Sequence, residues 1–116
     1  MTDQEVFDKV VTALREQGCK SMDDGACVYR SKDGRKCAVG HLIPDELYHE
    51  RMEGKVCFHL CRAYPGVRRL GLNMTLVLNL QRAHDHFPVE AWENKWADIA
   101  NRHGLKYTPP ERTNND

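Results

Sequence analysis

The side chains best able to do chemistry are concentrated in Lys36-Cys37-Ala38-Val39-Gly40-His41-Leu42-Ile43-Pro44-Asp45-Glu46-Leu47-Tyr48. A thiol, an imidazole, two carboxylates and a phenol fall together there. Cys37 could act as a nucleophile, with His41 or His84 as its base and Asp85 or Asp45 orienting that base. The protein would then be a cysteine-dependent hydrolase or transferase. The pattern around the thiol argues the other way. Ala38 and Val39 extend a short strand that makes Cys37 a small core residue, and no helix start beside it lowers its pKa. Cys37, His84 and Asp85 are the catalytic candidates, and they do not complete a constellation.

Two cysteine pairs suggest a metal. Cys57 and Cys61 are four residues apart, as are Cys37 and His41, so the four could assemble a tetrahedral Cys3His zinc site. The two-residue spacing of zinc knuckles is absent, and Val56, Leu60 and Tyr64 give the Cys57–Cys61 helix an ordinary core face. The expectation is no cofactor, with structural zinc as the alternative. His84 lies one turn from Leu80 and reads as a buried, hydrogen-bonded histidine. Arg62, Arg68, Arg69 and Arg82, with Lys55, form a basic concentration around Tyr64, which suits phosphate contact or base stacking. Lysine plus arginine number 17 and aspartate plus glutamate 17, and this zero balance argues against a dedicated nucleic-acid binder.

The segment also carries a resemblance. Cys37-Ala38-Val39-Gly40 followed by Leu42-Ile43-Pro44-Asp45-Glu46 and a tyrosine resembles a pattern in small bacteriophage and prophage proteins. Leu80-Gln81 with His84-Asp85 fits the same pattern, as do Trp92, Ile99-Ala100 and His103-Gly104-Leu105. The likeness runs from about Phe7 to Leu105. It implies a family and no reaction. Together with the incomplete catalytic constellation it leads to the expectation of a small accessory protein in the host cytoplasm that binds a host or phage protein without turnover, such as an inhibitor of a host function. The expected binding surface is the end of the segment: His41, Pro44, Asp45, Glu46 and Tyr48. Gly40 would let a partner's backbone approach, Pro44 would open a short helix, and two ring-bearing side chains would stack or hydrogen-bond. Nucleotide or nucleic-acid binding through the four arginines is the alternative.

The elements that must hold these residues are mostly helical. Thr2 and Glu5 form a capping box ahead of Val6, Phe7, Val10, Val11 and Leu14 at helical spacing, with Gly18 as the stop. Asp33-Gly34 predicts the turn of a hairpin between residues 27–30 and 35–39, and Asp23-Asp24-Gly25 a loop. Short helices follow from Pro44 and from Lys55, the latter ended by Pro65-Gly66. Asn73 caps a longer helix through Phe87, and Pro88 begins the last one, with Trp92, Trp96 and Ile99 as an inward stripe. The fold class is mainly α, a compact bundle of about five helices with one small antiparallel hairpin. A chain of 116 residues fits one domain, here residues 1–105, with residues 106–116 as a loose tail. The polar, acidic start and the short apolar runs predict neither export nor a membrane span. An odd count of five cysteines then reads as reduced thiols in a cytoplasm.

Overall fold

The computed structural model describes residues 1–110. Among them are six α-helices, three single 3₁₀ turns and one two-stranded antiparallel sheet, the mainly α class that the sequence predicts. No helix among the described residues is long and apolar enough to cross a membrane.

Helix α1 (Asp3–Gln17) starts with the predicted box: the Glu5 amide donates to the Thr2 hydroxyl at 3.1 Å, and the Thr2 amide to the Glu5 carboxylate at 2.8 Å. It buries Val6, Phe7, Val10, Val11 and Leu14 along one face and ends at Gly18.

The hairpin sits earlier than predicted. Asp24 and Gly25 adopt φ of 51° and 79°, the pair of positive values that a type I′ turn needs. They join β1 (Met22–Asp23) to β2 (Ala26–Cys27). At the later Asp33-Gly34 only Gly34 has positive φ, and a lone bridge between Arg30 and Lys36 replaces the expected ladder. Side chains explain the difference. The Arg35 amide donates to the Ser31 hydroxyl at 2.9 Å and the Arg35 guanidinium to Asp33 at 2.8 Å, which closes the loop on itself.

Cys37 also departs from expectation. It does not continue a strand but caps helix α2 (Ala38–Leu42), its sulfur accepting from the Gly40 amide at 3.4 Å. The Val39 amide, another free donor of the first turn, is taken by Gln81 at 2.9 Å. Ala38, Val39 and Leu42 are buried, and α2 packs against α1 and α5.

Pro44 leads into two 3₁₀ turns, Asp45–Leu47 and Glu50–Met52, in place of one short helix. Helix α3 (Cys57–Ala63) buries Cys57 and Leu60. Val56, expected on that buried face, is its N-cap, with extended backbone outside the helical stripe, and is 69% exposed. Pro65 ends α3 and at once opens α4 (Pro65–Arg68), where its fixed φ suits a first helical position. Helix α5 (Met74–His86) is capped by Asn73, which accepts from the Thr75 and Leu76 amides. The 3₁₀ turn Val89–Ala91 precedes α6 (Trp92–His103), whose Trp92, Trp96 and Ile99 face the core as predicted.

Helix α5 is the hub, packed on α1, α2 and α6. The start of the expected tail is attached: the Lys106 amide donates to Gln4 at 2.8 Å and the Tyr107 hydroxyl to Glu93 at 2.5 Å. The rest of it, residues 111–116, lies outside the described residues.

Gly40 has the tightest fit. A Cβ there would meet the Tyr29 carbonyl oxygen at 2.0 Å, whereas one at Gly66 would meet only the end of the Leu47 side chain, at 2.7 Å. Backbone cannot step aside as a side chain can. Gly40→Ala is expected to lower stability by about 3 kcal/mol or more, and Gly66→Ala by about 1 kcal/mol or less. Urea unfolding midpoints of the two variants check this, and equal midpoints would contradict it.

Candidate functional site

Helix α5 carries a polar edge of Gln81, His84 and Asp85 that faces inward. His84 is fully buried, and both ring nitrogens are engaged. The Ser21 amide donates to Nε2 at 3.0 Å, and Nδ1 lies 2.7 Å from an Asp85 oxygen. Because Nε2 must accept from an N–H, the proton of the neutral ring sits on Nδ1 and is donated to Asp85. The same Asp85 oxygen accepts from the Gln81 amide group at 2.9 Å. Burial alone would raise the Asp85 pKa, but the bonds from His84 and Gln81 outweigh it and hold the carboxyl below its ordinary value. The Trp92 ring stacks on His84 with centroids 5.5 Å apart.

Cys27 of β2 completes a cluster. Its sulfur and the donor atoms of His84 and Asp85 lie within 4.8 Å of one another, the one group of this kind among the described residues. The ring's bonding is wrong for a metal ligand. A metal on Nδ1 needs Nε2 to carry a proton and donate it outward, yet Nε2 faces a donor, the Ser21 amide. The bonding is equally wrong for catalysis, since neither nitrogen is free to take a proton from a thiol. Burial and then the nearby Asp85 charge raise the Cys27 pKa, which keeps it a thiol. His84 and Asp85 are therefore bonded as a structural pair.

The other predicted residues are spread over several environments. Cys37 is wholly buried, and loss of solvation pushes its thiol up to about 12, well outside nucleophile range. The zinc tetrad is not assembled. Cys37 is held by the Gly40 amide, His41 Nε2 is 3.2 Å from the Gln17 side-chain Oε1, and the Cys61 thiol is directed at the Met74 sulfur, 3.3 Å away.

The expected binding surface is half engaged in the fold. Pro44 is half-buried, and Asp45 pairs with Arg30 at 2.9 Å. Tyr48 lies under the Arg30 guanidinium at 4.5 Å and donates to Glu53 at 2.6 Å. Glu46 is exposed. Gly40, expected to admit a partner's backbone, is already filled against Tyr29. Arg62, Arg68, Arg69 and Arg82 are all exposed, and among the described residues none of them forms an ion pair.

A cleft of about 390 Å³ opens between β2, the stretch before α3, and α5. Val28, Val56, Cys57 and Leu78 give it apolar walls, with Lys55 and Arg82 as its cations. Its two carboxylates are directed inward. Glu53 accepts from the Tyr29 and Arg30 amides and the Tyr48 hydroxyl, and Asp85 from Gln81 and His84. Val56 on the cleft's wall and Phe58, next in the chain after the lining Cys57, stand 69% and 55% exposed; with Met1 they are the exposed large hydrophobics of the described residues. Sequence reasoning missed Cys27, Glu53, Val56 and Phe58. The available signal was Val56-Cys57-Phe58 itself, since a helix start cannot bury three successive apolar side chains. Comparison with protein-family models, with curated proteins and with solved structures finds no match for this chain.

Two measurements follow from the site's ionisation. Burial and the Lys36 charge depress His41 from 6.5 to about 4. The unfolded chain takes up this proton near pH 6.5 and the folded chain only near pH 4, so stability falls as pH drops through that window. The loss is on the order of 2 kcal/mol, read from urea midpoints, and His41→Gln should flatten it. A His41→Gln profile as steep as the native one would refute this origin. Alkylation at pH 8 followed by mass spectrometry should leave Cys37 unmodified in the folded protein and label it after denaturation.

Proposed function

We propose that the protein acts by binding another protein, without turnover, through the corner formed by Lys55, Val56, Phe58 and the neighbouring cleft. The supporting observation is the adjacent exposure of Val56 and Phe58 beside a concave, apolar-walled cleft. Large exposed side chains grouped at a cleft mark interaction sites far more than scattered ones do. The thiols and the histidine offer no competing chemistry of comparable quality, because Cys27 and Cys37 are held as thiols and His84 is bonded at both nitrogens.

The resemblance to phage and prophage proteins supports a partner from the phage or its host, met in the host cytoplasm where thiols stay reduced. The corner takes over the role that the sequence assigned to residues 41–48. His41 and Tyr48 are occupied in internal bonds, while Val56 and Phe58 touch solvent.

The reading is tested by photocrosslinking in infected or expressing cells. A photoreactive phenylalanine analogue at position 58 should give one discrete protein adduct, abolished by Val56→Asp, while the same analogue at position 46 gives none. Val56→Asp should change stability by no more than about 1 kcal/mol, since the side chain is exposed. An adduct from position 46 and none from 58 would return the site to the residues 41–48 surface and overturn the reading.

A further inference from the structure

The charges around this corner are unevenly distributed. Residues 54–84 contain Lys55, Arg62, Arg68, Arg69 and Arg82 and not one aspartate or glutamate. This run builds α3, α4 and most of α5, so those stretches bring cations and no carboxylate to the cleft's surroundings. Phe58 and Arg62 are one helical turn apart on α3 and share a face. Lys55 and Arg82 line the cleft with Val56. None of Lys55, Arg62 and Arg82 has a carboxylate partner among the described residues. The two acids that line the cleft, Glu53 and Asp85, already receive donors from within the fold.

We infer that the partner presents an acidic segment with an apolar anchor: one aliphatic or aromatic side chain enters the cleft beside Val56 and Leu78, and flanking carboxylates lie over Lys55, Arg62 and Arg82. This inference rests on the protein-binding reading and specifies its partner's chemistry. An interface of this design has an apolar centre that is desolvated on binding and a charged rim that steers approach. Unpaired guanidinium groups match carboxylates in a planar, two-point geometry, so Arg62 and Arg82 confer selectivity for acids as well as attraction.

A polyphosphate chain would meet the same cations but fits the rest of the surface less well. Single-stranded nucleic acid is gripped by successive exposed rings on which bases stack. Here Phe58 and the smaller His59 ring are exposed on α3, Tyr64 is half-buried, Val56 has no π face, and Tyr29 is buried, so no row of large exposed rings tracks the cations. The apolar walls of the cleft suit a hydrocarbon side chain better than a sugar or a phosphate.

The test uses nitrogen-15-labelled full-length protein and four probes: a glutamate-rich peptide with one central leucine, its serine counterpart, its lysine-rich counterpart, and oligothymidylate. The leucine peptide should shift the amides of Lys55, Val56, Phe58, Leu78 and Arg82. Its affinity should fall about threefold or more between about 50 and 200 mM salt. Arg82→Ser, Phe58→Ser, or serine in place of the central leucine should each weaken it about fivefold or more. These side chains are exposed, and unchanged melting confirms that the variants fold. Oligothymidylate bound through the same amides as tightly as the peptide would overturn the inference in favour of nucleic acid. Equal binding of the lysine-rich peptide, or no shifts at the corner with the acidic one, would also overturn it. A position-58 adduct together with a failed acidic peptide would leave the protein-binding reading standing and remove only this one.

Discussion

The structure depends on one buried imidazole whose two nitrogens face opposite demands. Ser21 donates to one side of the His84 ring and Asp85 accepts from the other, so the ring ties the hairpin to α5 with its tautomer fixed by geometry. Gln81 extends the same edge, passing a bond to Asp85 and accepting the Val39 amide that opens α2. One helix face thereby fixes two neighbours through bonds that tolerate little displacement. A half-satisfied version of this network would cost more than an apolar core, which is why each member is bonded at both ends. The motif that looked most catalytic is occupied in positioning the chain.

That arrangement explains the rest of the segment around Cys37. Once α5 holds the Val39 amide, the chain turns into α2 directly after Lys36, and Cys37 becomes the cap of a buried helix. Gly40 then has to lie against the Tyr29 carbonyl, where no side chain fits. Tyr29, Arg30 and Tyr48 converge on Glu53, and Arg30 also reaches Asp45 and the Ile43 carbonyl. What this scaffold does not consume is the outward corner of Val56 and Phe58 and the cations beside it.

The long elements were legible because local signals and burial agreed. The Thr2–Glu5 box, the Asn73 cap, and the Trp92–Trp96–Ile99 stripe each appear as read. The class, mainly helical with a small hairpin, followed from them. The hairpin's position was not legible, because the chain has two Asp-Gly pairs and the choice between them lies in Ser31, Asp33 and Arg35 closing their own loop. The Cys37 cap was hidden because its cause, Gln81, is distant in sequence. Val56 was misplaced by one helical register, since a residue that caps a helix does not share the helix's face. At the site, His84 as a satisfied core histidine was readable from its place one turn after Leu80. The cleft was not, because its walls come from three separated segments.

A His84–Asp85 pair that serves as scaffold has one fixed tautomer, with the proton on Nδ1. Long-range nitrogen–proton correlation spectra of the histidine rings distinguish a proton on Nδ1 from one on Nε2. His84 is expected as the Nδ1–H tautomer, unchanged when zinc or a chelator is added. A proton on Nε2, or a zinc-dependent shift of Nδ1, would show instead that the ring is free to ligate a metal or accept a proton and that the pair is not scaffold.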